Sequence, residues 1–545
     1  MKEGEMNSHS ATGRLLSVVV TLVLLVASVS VVAAQGGPQN PGGGSSGTRG
    51  QRAPTSANNG PVSASEGTGG AAGGTDVALP CVTFCHNANG TYEPAIAVNP
   101  LNSNNIATTS LFELRVSTNN GGTFSAATAA TFPATHTSCG DSSVAFDSQG
   151  RLFWTYLGCV SGTSRADIFI AQVNPTTGAI LTGYPINVTA SPGVNLPAAS
   201  GSSHDKQWLA ADHFPGSASP FRDRLYIVWT DLTTTPSVIR TTSSADQGQN
   251  WSAPVTLSAA TGEGFVWPSH NAVAANGDVY VAYHSQPTFT NNEPNGTSGQ
   301  IFVLRSTDGG VTYPQKTTAF TGGNADITFN VQTDTRILNG SASWTQGSAQ
   351  PWVLPDPINQ NNVYVVAADD PTNANNGAGF DDMDVFIARS TNQGVSWNAP
   401  VRVDAGPAGT TQFFPTAAID DRSQCLAVAW YDTRAGVTNT GGNFLLDVFE
   451  RTSCDGGVNF GPEFRVNDAR FDPDVNAIQR FAGPPPTLRI GEYIGVAIVN
   501  GIVTHTVWTG NSATNRQQIM YDNTVAAGVG PIHSYAILTT APTSP

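Results

Sequence analysis

The sequence is poor in charged residues, and lysine is almost missing from it. Charged side chains make up 12% of the 545 residues, and the three lysines are Lys2, Lys206 and Lys316. The net charge is −15 and the isoelectric point lies near 4.9. This balance excludes a nucleic-acid binder that neutralises phosphates with a basic surface, and an acidic surface also keeps a protein soluble.

Strong helix formers are also scarce. The chain has only 4 methionines, whereas it has 57 glycines and 35 prolines, and threonine, valine and asparagine are abundant. This composition predicts an all-β protein rich in turns. The sequence contains no glycine-rich phosphate loop, no serine nucleophile elbow and no paired zinc motif, so it gives no sign of those chemistries.

The N-terminal part of the chain, up to position 76, is expected to lie outside the folded domain. Lys2 and Arg14 precede an apolar run at 15–32, and Val32, Ala33 and Ala34 offer small residues before a cleavage site at Gln35. We interpret 1–34 as an export signal, and an uncleaved membrane anchor is the alternative. The stretch 35–76 contains almost no large apolar side chain, which predicts a disordered linker. No other segment is apolar enough to span a membrane.

Five short segments repeat one pattern, Ser-x-[Asp/Asn]-x-Gly-x-[Ser/Thr/Asn]-aromatic. The copies begin at Ser117, Ser244, Ser306, Ser390 and Ser453. The pattern is typical of a hairpin turn in which the Asp or Asn side chain accepts backbone amides and the glycine takes a positive φ. The aromatic residue would hold the turn against the sheet.

The spacing of these turns predicts seven repeating units. The gap from Ser117 to Ser244 is about twice the gap from Ser244 to Ser306, so the first gap is expected to hold a degenerate copy, which we place at 167–178. A seventh copy follows at 518–524. Each unit also contains two earlier apolar strands, such as 208–211 and 225–231 in one unit.

This organisation predicts a seven-bladed β-propeller with four-stranded antiparallel blades over residues 77–541. Six blades with an extra hairpin is the alternative, because the unit from 306 to 390 is long and irregular.

The strand pattern also predicts disulfides among the six cysteines. Cys139 and Cys159 would lie at one end of a hairpin in the second unit. Cys425 and Cys454 would share an end of the sixth. Cys81 and Cys85 remain for a short local bridge, and a metal site with His86 is the less favoured alternative.

The five repeated turns resemble the Asp-box, or bacterial neuraminidase repeat, of the sialidase superfamily. The resemblance spans about residues 85–530, implies the propeller architecture, and places the boxes on the face opposite the active site. The same box occurs in hydrolases, receptors and secreted proteins without an assigned activity, so it does not specify a reaction.

The resemblance also suggests catalytic positions. Sialidases clamp a carboxylate with three arginines and use a tyrosine nucleophile, a glutamate base and an aspartate acid/base. Arg489 and Tyr493 match the third arginine and the nucleophile approximately, but we favour the interpretation that Tyr493 is a packed aromatic of the inner strand. If the protein is catalytic, Tyr493 would be the nucleophile or a proton donor, Glu263 the base and Asp141 the acid/base. The first arginine has no counterpart in 92–98, so hydrolysis of sialic acid is not expected.

Other polar residues are predicted to reach the same face of the propeller. Glu93, Asp205, Lys206, His270, Arg434 and Glu492 are candidates for substrate binding. Lys206 is expected to form an ion pair in the central funnel, and Arg434 is expected to form a salt bridge between blades with Asp432.

No cofactor is expected, although the acidic loop at 369–384 is a candidate calcium site.

The sequence therefore predicts a secreted or cell-surface (or periplasmic) monomer that binds or cleaves an extracellular glycan. As an enzyme it would be a glycoside hydrolase or lyase with paired carboxylates. A non-catalytic propeller that binds glycans or a surface protein is the alternative, with Trp154, Trp229, Trp267, Trp430 and Trp508 as candidate stacking platforms. A purely structural surface protein is a third possibility.

Overall fold

A computed structural model describes residues 72–73, 75–80, 82 and 91–525, with internal gaps at 164, 199–202, 260, 287–288, 291–292, 295–298, 321–349, 370–382, 408–409, 436–444, 474–477, 482–486, 502 and 512–516. The predicted export signal, most of the predicted linker and the proposed Cys81–Cys85 bridge lie outside these residues. Within them the regular elements are all β-strands. This part of the chain contains no helix long and apolar enough to cross a membrane.

The strands form seven antiparallel sheets, which are the blades of a propeller, and the predicted blade count is confirmed. Two short strands, β1 (Ala72–Gly73) and β2 (Val77–Leu79), precede the first blade. The strands of blades 1 to 3 are β3 (Ile96–Asn99), β4 (Asn102–Thr109), β5 (Glu113–Ser117), β6 (Thr128–Ala129); β7 (His136–Phe146), β8 (Leu152–Val160), β9 (Ala166–Val173), β10 (Ile186–Asn187); β11 (His204–Ala211), β12 (Leu225–Asp231), β13 (Val238–Ser244) and β14 (Val255–Thr256).

Blades 4 to 7 follow the same order, and blades 4 and 7 are each accompanied by a small hairpin. The strands of blade 4 are β15 (Phe265–Val273), β16 (Val279–Gln286), β19 (Gln300–Ser306) and β20 (Gln315–Phe320), with the hairpin β17 (Phe289–Thr290) and β18 (Glu293–Pro294). Those of blades 5 and 6 are β21 (Trp352–Pro355), β22 (Val363–Asp369), β23 (Asp384–Ser390), β24 (Val401–Arg402); β25 (Gln412–Ile419), β26 (Leu426–Asp432), β27 (Asp447–Ser453) and β28 (Phe464–Arg465). The hairpin β29 (Ile478–Phe481) and β30 (Thr487–Arg489) precedes β31 (Gly495–Val499), β32 (Val503–Asn511) and β33 (Gln517–Val525) of blade 7.

The second strand of each blade explains the apolar runs in the sequence. β8, β12, β22 and β26 are buried along almost their whole length because neighbouring blades cover both faces of the sheet. Four tryptophans lie in these buried layers, with no more than 1% of their surface exposed: Trp154, Trp229, Trp430 and Trp508. They pack between blades, so they are not the stacking platforms that the sequence suggested.

The ring of blades is closed by a strand from the N-terminal side. The inner strand β31 contacts β3 of blade 1, and β2 adds to the outer edge of blade 7 by pairing with β33. Leu79 of β2 is buried against Val507, Ile519 and Tyr521. Strands from opposite parts of the sequence therefore complete the last blade.

The five repeated turns form the hairpins that connect the third and fourth strands of blades 1, 3, 4, 5 and 6. In each, the serine hydroxyl oxygen accepts the amide of the glycine four residues later at 2.9–3.0 Å. The Asp or Asn side chain accepts the amide four residues beyond itself at 2.9 Å. The glycines have φ between 71° and 84°, which only glycine adopts without strain.

Two disulfides connect neighbouring strands within blades. Cys139 and Cys159 are bonded at the end of blade 2 where its inner strand begins. Cys425 and Cys454 are bonded at the opposite end of blade 6. The first bond lies two residues from Asp141, so it ties down the chain at a candidate site residue.

A buried carboxyl group lies between blades 6 and 7. Glu450 of β27 is fully buried and accepts a hydrogen bond from the Thr506 hydroxyl at 2.7 Å. Burial, with a smaller effect of the Asp522 carboxylate, raises the pKa of Glu450 to about 7. Glu450 therefore binds its proton more tightly in the folded protein than in the unfolded chain, where the ordinary value is 4.5.

Replacing Glu450 with glutamine is expected to change how stability depends on pH. In the native protein, the contribution of Glu450 to the free energy of unfolding is fully present below pH ~4.5. It is lost as the pH rises through ~7. Glu450→Gln should remove this loss while its amide oxygen still accepts from Thr506. As the pH rises from 4.5 to 8, the free energy of unfolding of the variant should increase by about 3 kcal/mol relative to that of wild type. Urea unfolding at several pH values measures this, and parallel curves for the two proteins would contradict it.

Candidate functional site

The inner strands begin with a repeated backbone bulge at one end of the propeller axis. Four non-glycine residues have φ of 41–58° there, each six residues before the turn that ends its inner strand: Glu93, Asp141, Lys206 and Phe414. The strand register shifts at this level in blades 2, 3 and 6. A left-handed non-glycine residue costs of order 1–3 kcal/mol, and such strain concentrates at functional sites. Three of the four are charged and buried.

An ion pair at this end connects blade 3 to blade 7. The Lys206 ammonium lies 2.9 Å from the Glu492 carboxylate, and the two side chains are 3% and 6% exposed. The ammonium also lies 4.4 Å from the centroid of the Tyr493 ring. Burial alone would lower the pKa of Lys206, but the carboxylates of Glu492, Asp141 and Glu93 outweigh it and raise this pKa. Lys206 therefore stays charged, and the predicted ion pair in the funnel has Glu492 as its partner.

Asp141 holds the strained backbone of blade 3. Its carboxylate accepts the Lys206 amide at 2.9 Å, and its carbonyl accepts the Gln207 side-chain amide at 3.0 Å. These bonds join the inner strands of blades 2 and 3 at the level of their bulges. Asp141 thus lies where the sequence placed it, among the charged residues of the funnel.

Asp205 carries a carboxyl group of this cluster whose pKa is raised. Burial raises its pKa well above the ordinary value, and the nearby Asp141 and Glu492 charges raise it further against the opposing effect of Lys206. The Trp267 indole N–H donates to Asp205 at 2.9 Å. Asp205 nevertheless keeps part of its surface accessible. Asp205 therefore combines a raised pKa with partial exposure of the residue.

Tyr493 lies in the cluster, but its surroundings do not suit the predicted nucleophile. Its hydroxyl accepts the Ser142 amide at 2.8 Å and donates to the Ser142 carbonyl at 3.1 Å. Burial and the Asp141, Glu93 and Glu492 charges raise the pKa of Tyr493 well above its ordinary value. A phenol that must attack needs the opposite shift. We assign Tyr493 a positioning role, because it connects blade 7 to blade 2.

In a regular strand, the adjacent residues Glu492 and Tyr493 would point to opposite faces. Here both residues contact the Lys206 ammonium. The regular strand β31 begins only at Gly495, and Gly491 has φ of 97°. The alternation of side chains along a strand does not apply to such an irregular segment.

Glu263 is paired with a different tyrosine from the one predicted. The Tyr283 hydroxyl donates to its carboxylate at 2.6 Å, and the Lys316 ammonium forms an ion pair with it. All three residues belong to blade 4 or to the segment that leads into it. The prediction that Glu263 activates Tyr493 therefore has no support in this geometry.

His270 belongs to an aromatic layer that lies across the propeller axis. Its ring centroid is 5.4 Å from that of Trp208 and 4.7 Å from that of Trp352. Trp208 also contacts the Tyr493 ring at 5.6 Å. Burial lowers the pKa of His270 to about 3. His270 is therefore neutral and aromatic in function, not a charged ligand for substrate.

Arg434 stabilises a single blade. It forms ion pairs with Asp432 at 2.6 Å and with Glu463, and all three residues belong to blade 6. The predicted salt bridge between blades is therefore wrong, because the second carboxylate comes from the segment just before β28 of the same blade.

The described residues test three further predictions only in part. Arg489 ends β30, and its side chain lies outside the described residues. Most of the candidate calcium loop at 369–384 also lies outside them. Elsewhere in the described chain, no group of three or more His, Cys, Asp or Glu side chains is arranged to hold a metal ion. Glu93 is fully buried at its bulge in blade 1.

Two features of the cluster were missed by sequence reasoning. Trp267 was considered as a stacking platform, whereas its indole N–H holds Asp205. The left-handed residues were not predicted, because glutamate (Glu93) and lysine (Lys206) do not favour a positive φ and the tolerance of aspartate for it is only a weak signal at Asp141. Each of these three residues lies six positions before an Asn or Asp that begins a turn. This recurrence is the one sequence signal that was available for the left-handed residues.

No known protein-family model and no curated protein sequence matches the chain. Among solved structures, it is similar to a polysaccharide lyase described as a PL25 ulvan lyase, with 10% identity and a TM-score of 0.45 over 81% of this chain and 95% of that one. It is also similar to the Hadza microbial sialidase Hz136 (9% identity, TM-score 0.42, 77% of this chain and 73% of that one). A third is the α-L-arabinofuranosidase Arb93A of Fusarium graminearum (11% identity, TM-score 0.40, 71% and 93%). Similarities this low transfer no activity and no residue role to this chain.

Proposed function

We propose that the protein is an exported propeller that cleaves an extracellular polysaccharide, with Asp205 as the proton donor. The observation that carries this proposal is the raised pKa of a partly accessible carboxyl group beside other carboxylates. Cleavage of a glycosidic bond needs an acid that is still protonated at the working pH and a second carboxylate that is ionised. The raised pKa of Asp205 suits the acid, and the neighbouring Asp141 and Glu492 are candidates for the second carboxylate.

Each neighbour of Asp205 has a defined part in this proposal. Asp141 is the candidate base, since it is the first of the neighbouring charges that raise the pKa of Asp205. The charged Lys206 forms an ion pair with Glu492 and partly offsets the negative charge of the cluster. Trp267 fixes the orientation of the Asp205 carboxyl group. Tyr493 positions the inner strands and transfers no proton.

The export part of the proposal is supported by the apolar run at 15–32 with its small residues before Gln35. The two disulfides are consistent with an oxidising compartment. Polysaccharides are among the substrates that an exported protein encounters outside the cell.

The test is a panel of polysaccharides assayed for new chain ends with wild type, Asp205→Asn and Tyr493→Phe. Asp205→Asn should lose about 100-fold or more of the rate, because general acid catalysis is typically worth 10²–10⁴. Tyr493→Phe should lose less than about tenfold, because it removes hydrogen bonds to Ser142 but no proton donor. Reversed results would return Tyr493 to the catalytic role. Binding without turnover by wild type would favour a non-catalytic glycan-binding propeller, and neither binding nor turnover would overturn the glycan proposal.

A further inference from the structure

The closing strand β2 is attached to a second blade besides the one that it completes. β2 itself pairs with β33 of blade 7. Just before β2, the Asp76 amide donates to the Asp468 carboxylate at 3.0 Å, and the Asp468 amide donates to the Asp76 carboxylate at 2.9 Å. Asp468 follows β28 of blade 6. This reciprocal pair of hydrogen bonds therefore joins the segment that leads into β2 to blade 6.

The surroundings of the Asp76 carboxyl group favour its protonated form. One of its oxygens, Oδ1, is buried and finds no hydrogen-bond partner among the described residues. Burying a carboxylate costs free energy unless hydrogen bonds or cations compensate for the lost water. Burial accordingly raises the pKa of Asp76 from 3.8 to about 6, although the bond from the Asp468 amide lowers it in part.

The charged groups around Asp76 come from three elements, and most of them are negative. The Asp468 carboxylate faces it from the segment after β28, and the Asp522 carboxylate faces it from β33. Both raise the pKa of Asp76. Arg465 of β28 acts in the opposite direction, but its guanidinium also lies 3.7 Å from the Asp447 carboxylate. A charged Asp76 is therefore repelled by two carboxylates and attracted by one arginine that it shares.

We propose that Asp76 and Asp468 form a pH-sensitive clasp, which holds the closing strand firmly in acid and loosens it as the pH rises. With Asp76 protonated, the two amide bonds are kept and the facing carboxyl groups do not repel each other. With Asp76 ionised, Asp468 and Asp522 repel it and its buried oxygen bears charge. β2 then opens locally more often while the blades stay folded.

The direction of the pH effect follows from proton linkage. Asp76 has a higher pKa in the closed strand than the ordinary value of 3.8, which applies when the strand is open and the carboxyl group is in water. Its contribution to closure is therefore fully present below pH ~3.8 and is lost as the pH rises through ~6. Between pH 4.5 and 7.5, the opening equilibrium of β2 should rise about 30-fold.

The test is hydrogen exchange of the full chain, measured by mass spectrometry on a peptide that spans β2 and corrected for the intrinsic pH dependence of amide exchange. The Glu450→Gln background removes the carboxyl group whose pKa is near 7. Protection of β2 should fall about 30-fold from pH 4.5 to 7.5. It should also stay well below that of β12 in blade 3, because β2 opens locally. Equal protection of the two strands would show that β2 is released only when the whole propeller unfolds, and would overturn the proposal.

Two variants distinguish the clasp from a merely structural contact. Asp76→Asn keeps an oxygen that accepts the Asp468 amide but does not titrate, so the fall in β2 protection should shrink to less than about threefold. Asp468→Asn removes a neighbouring negative charge and should move the midpoint of the pH curve below ~6. Cooperative thermal unfolding checks that both variants are folded. An undiminished fall in Asp76→Asn would overturn the clasp, and an unchanged midpoint in Asp468→Asn would overturn the part that Asp468 plays in it.

Discussion

Replacing Lys206 with methionine is expected to lower the free energy of unfolding by about 3–5 kcal/mol. The substitution keeps most of the apolar stem but removes the cation that faces Glu492, Asp141 and Glu93. Glu492 would then be a buried carboxylate without its ion-pair partner, and breaking a buried pair from one side has a cost of this size. Urea unfolding at pH 7 measures the effect.

Lys316 provides a matched control, because it is the other lysine of the propeller and also pairs with a glutamate. Its side chain is 28% exposed, compared with 3% for Lys206. Lys316→Met should therefore cost only about 1 kcal/mol, as for pairs that water still screens. Adding Glu492→Gln to Lys206→Met should recover part of the lost stability, since position 492 then carries no buried charge. Equal losses for the two lysine variants would show that burial of the charge is not what matters.

Replacing Leu79 with aspartate is expected to destabilise the closure of the propeller by about 4 kcal/mol or more. Leu79 is 6% exposed and contacts Val507, Ile519 and Tyr521 across the edge of blade 7. Removing a buried leucine side chain costs about 2–5 kcal/mol, and an unpaired carboxylate in its place adds to that. The pairing of β2 with β33 would be lost, and β33 would become an open edge strand.

The neighbouring residue gives the control, because Ala78 of the same strand points to solvent. Ala78→Asp should change stability by less than about 0.5 kcal/mol. Thermal unfolding compares the two variants, and hydrogen exchange of β33 amides should speed up in Leu79→Asp only. If both variants were as stable as wild type, β2 would contribute nothing to closing the ring.

The number of blades could be predicted because its signals are local. A hairpin turn is specified by residues only a few positions from one another, such as the serine hydroxyl and glycine amide of the turn at Ser117. Recurrence of that pattern at intervals typical of a four-stranded blade was enough to count the units. The Cys139–Cys159 and Cys425–Cys454 pairs followed from the same counting, because each bridges adjacent strands of one blade.

The closing strand could not be predicted in this way. β2 precedes the first blade, whereas its partner β33 is the last strand of the seventh. Its sequence, Val-Ala-Leu, carries no turn signal and no repeat. It becomes a strand only because blade 7 supplies three strands of its own and leaves one edge to be covered.

The sequence by itself determined the fold class, the blade repeat and the end of the axis where polar residues gather, because periodicity and turn chemistry act over short distances. Only the tertiary structure decided which of those residues work together. Tyr493 of blade 7 bonds to Ser142 of blade 2, and Glu263 bonds to Tyr283 instead. These partners depend on the register and on bulges at the starts of the inner strands, where a shift of one residue turns a side chain to the other face.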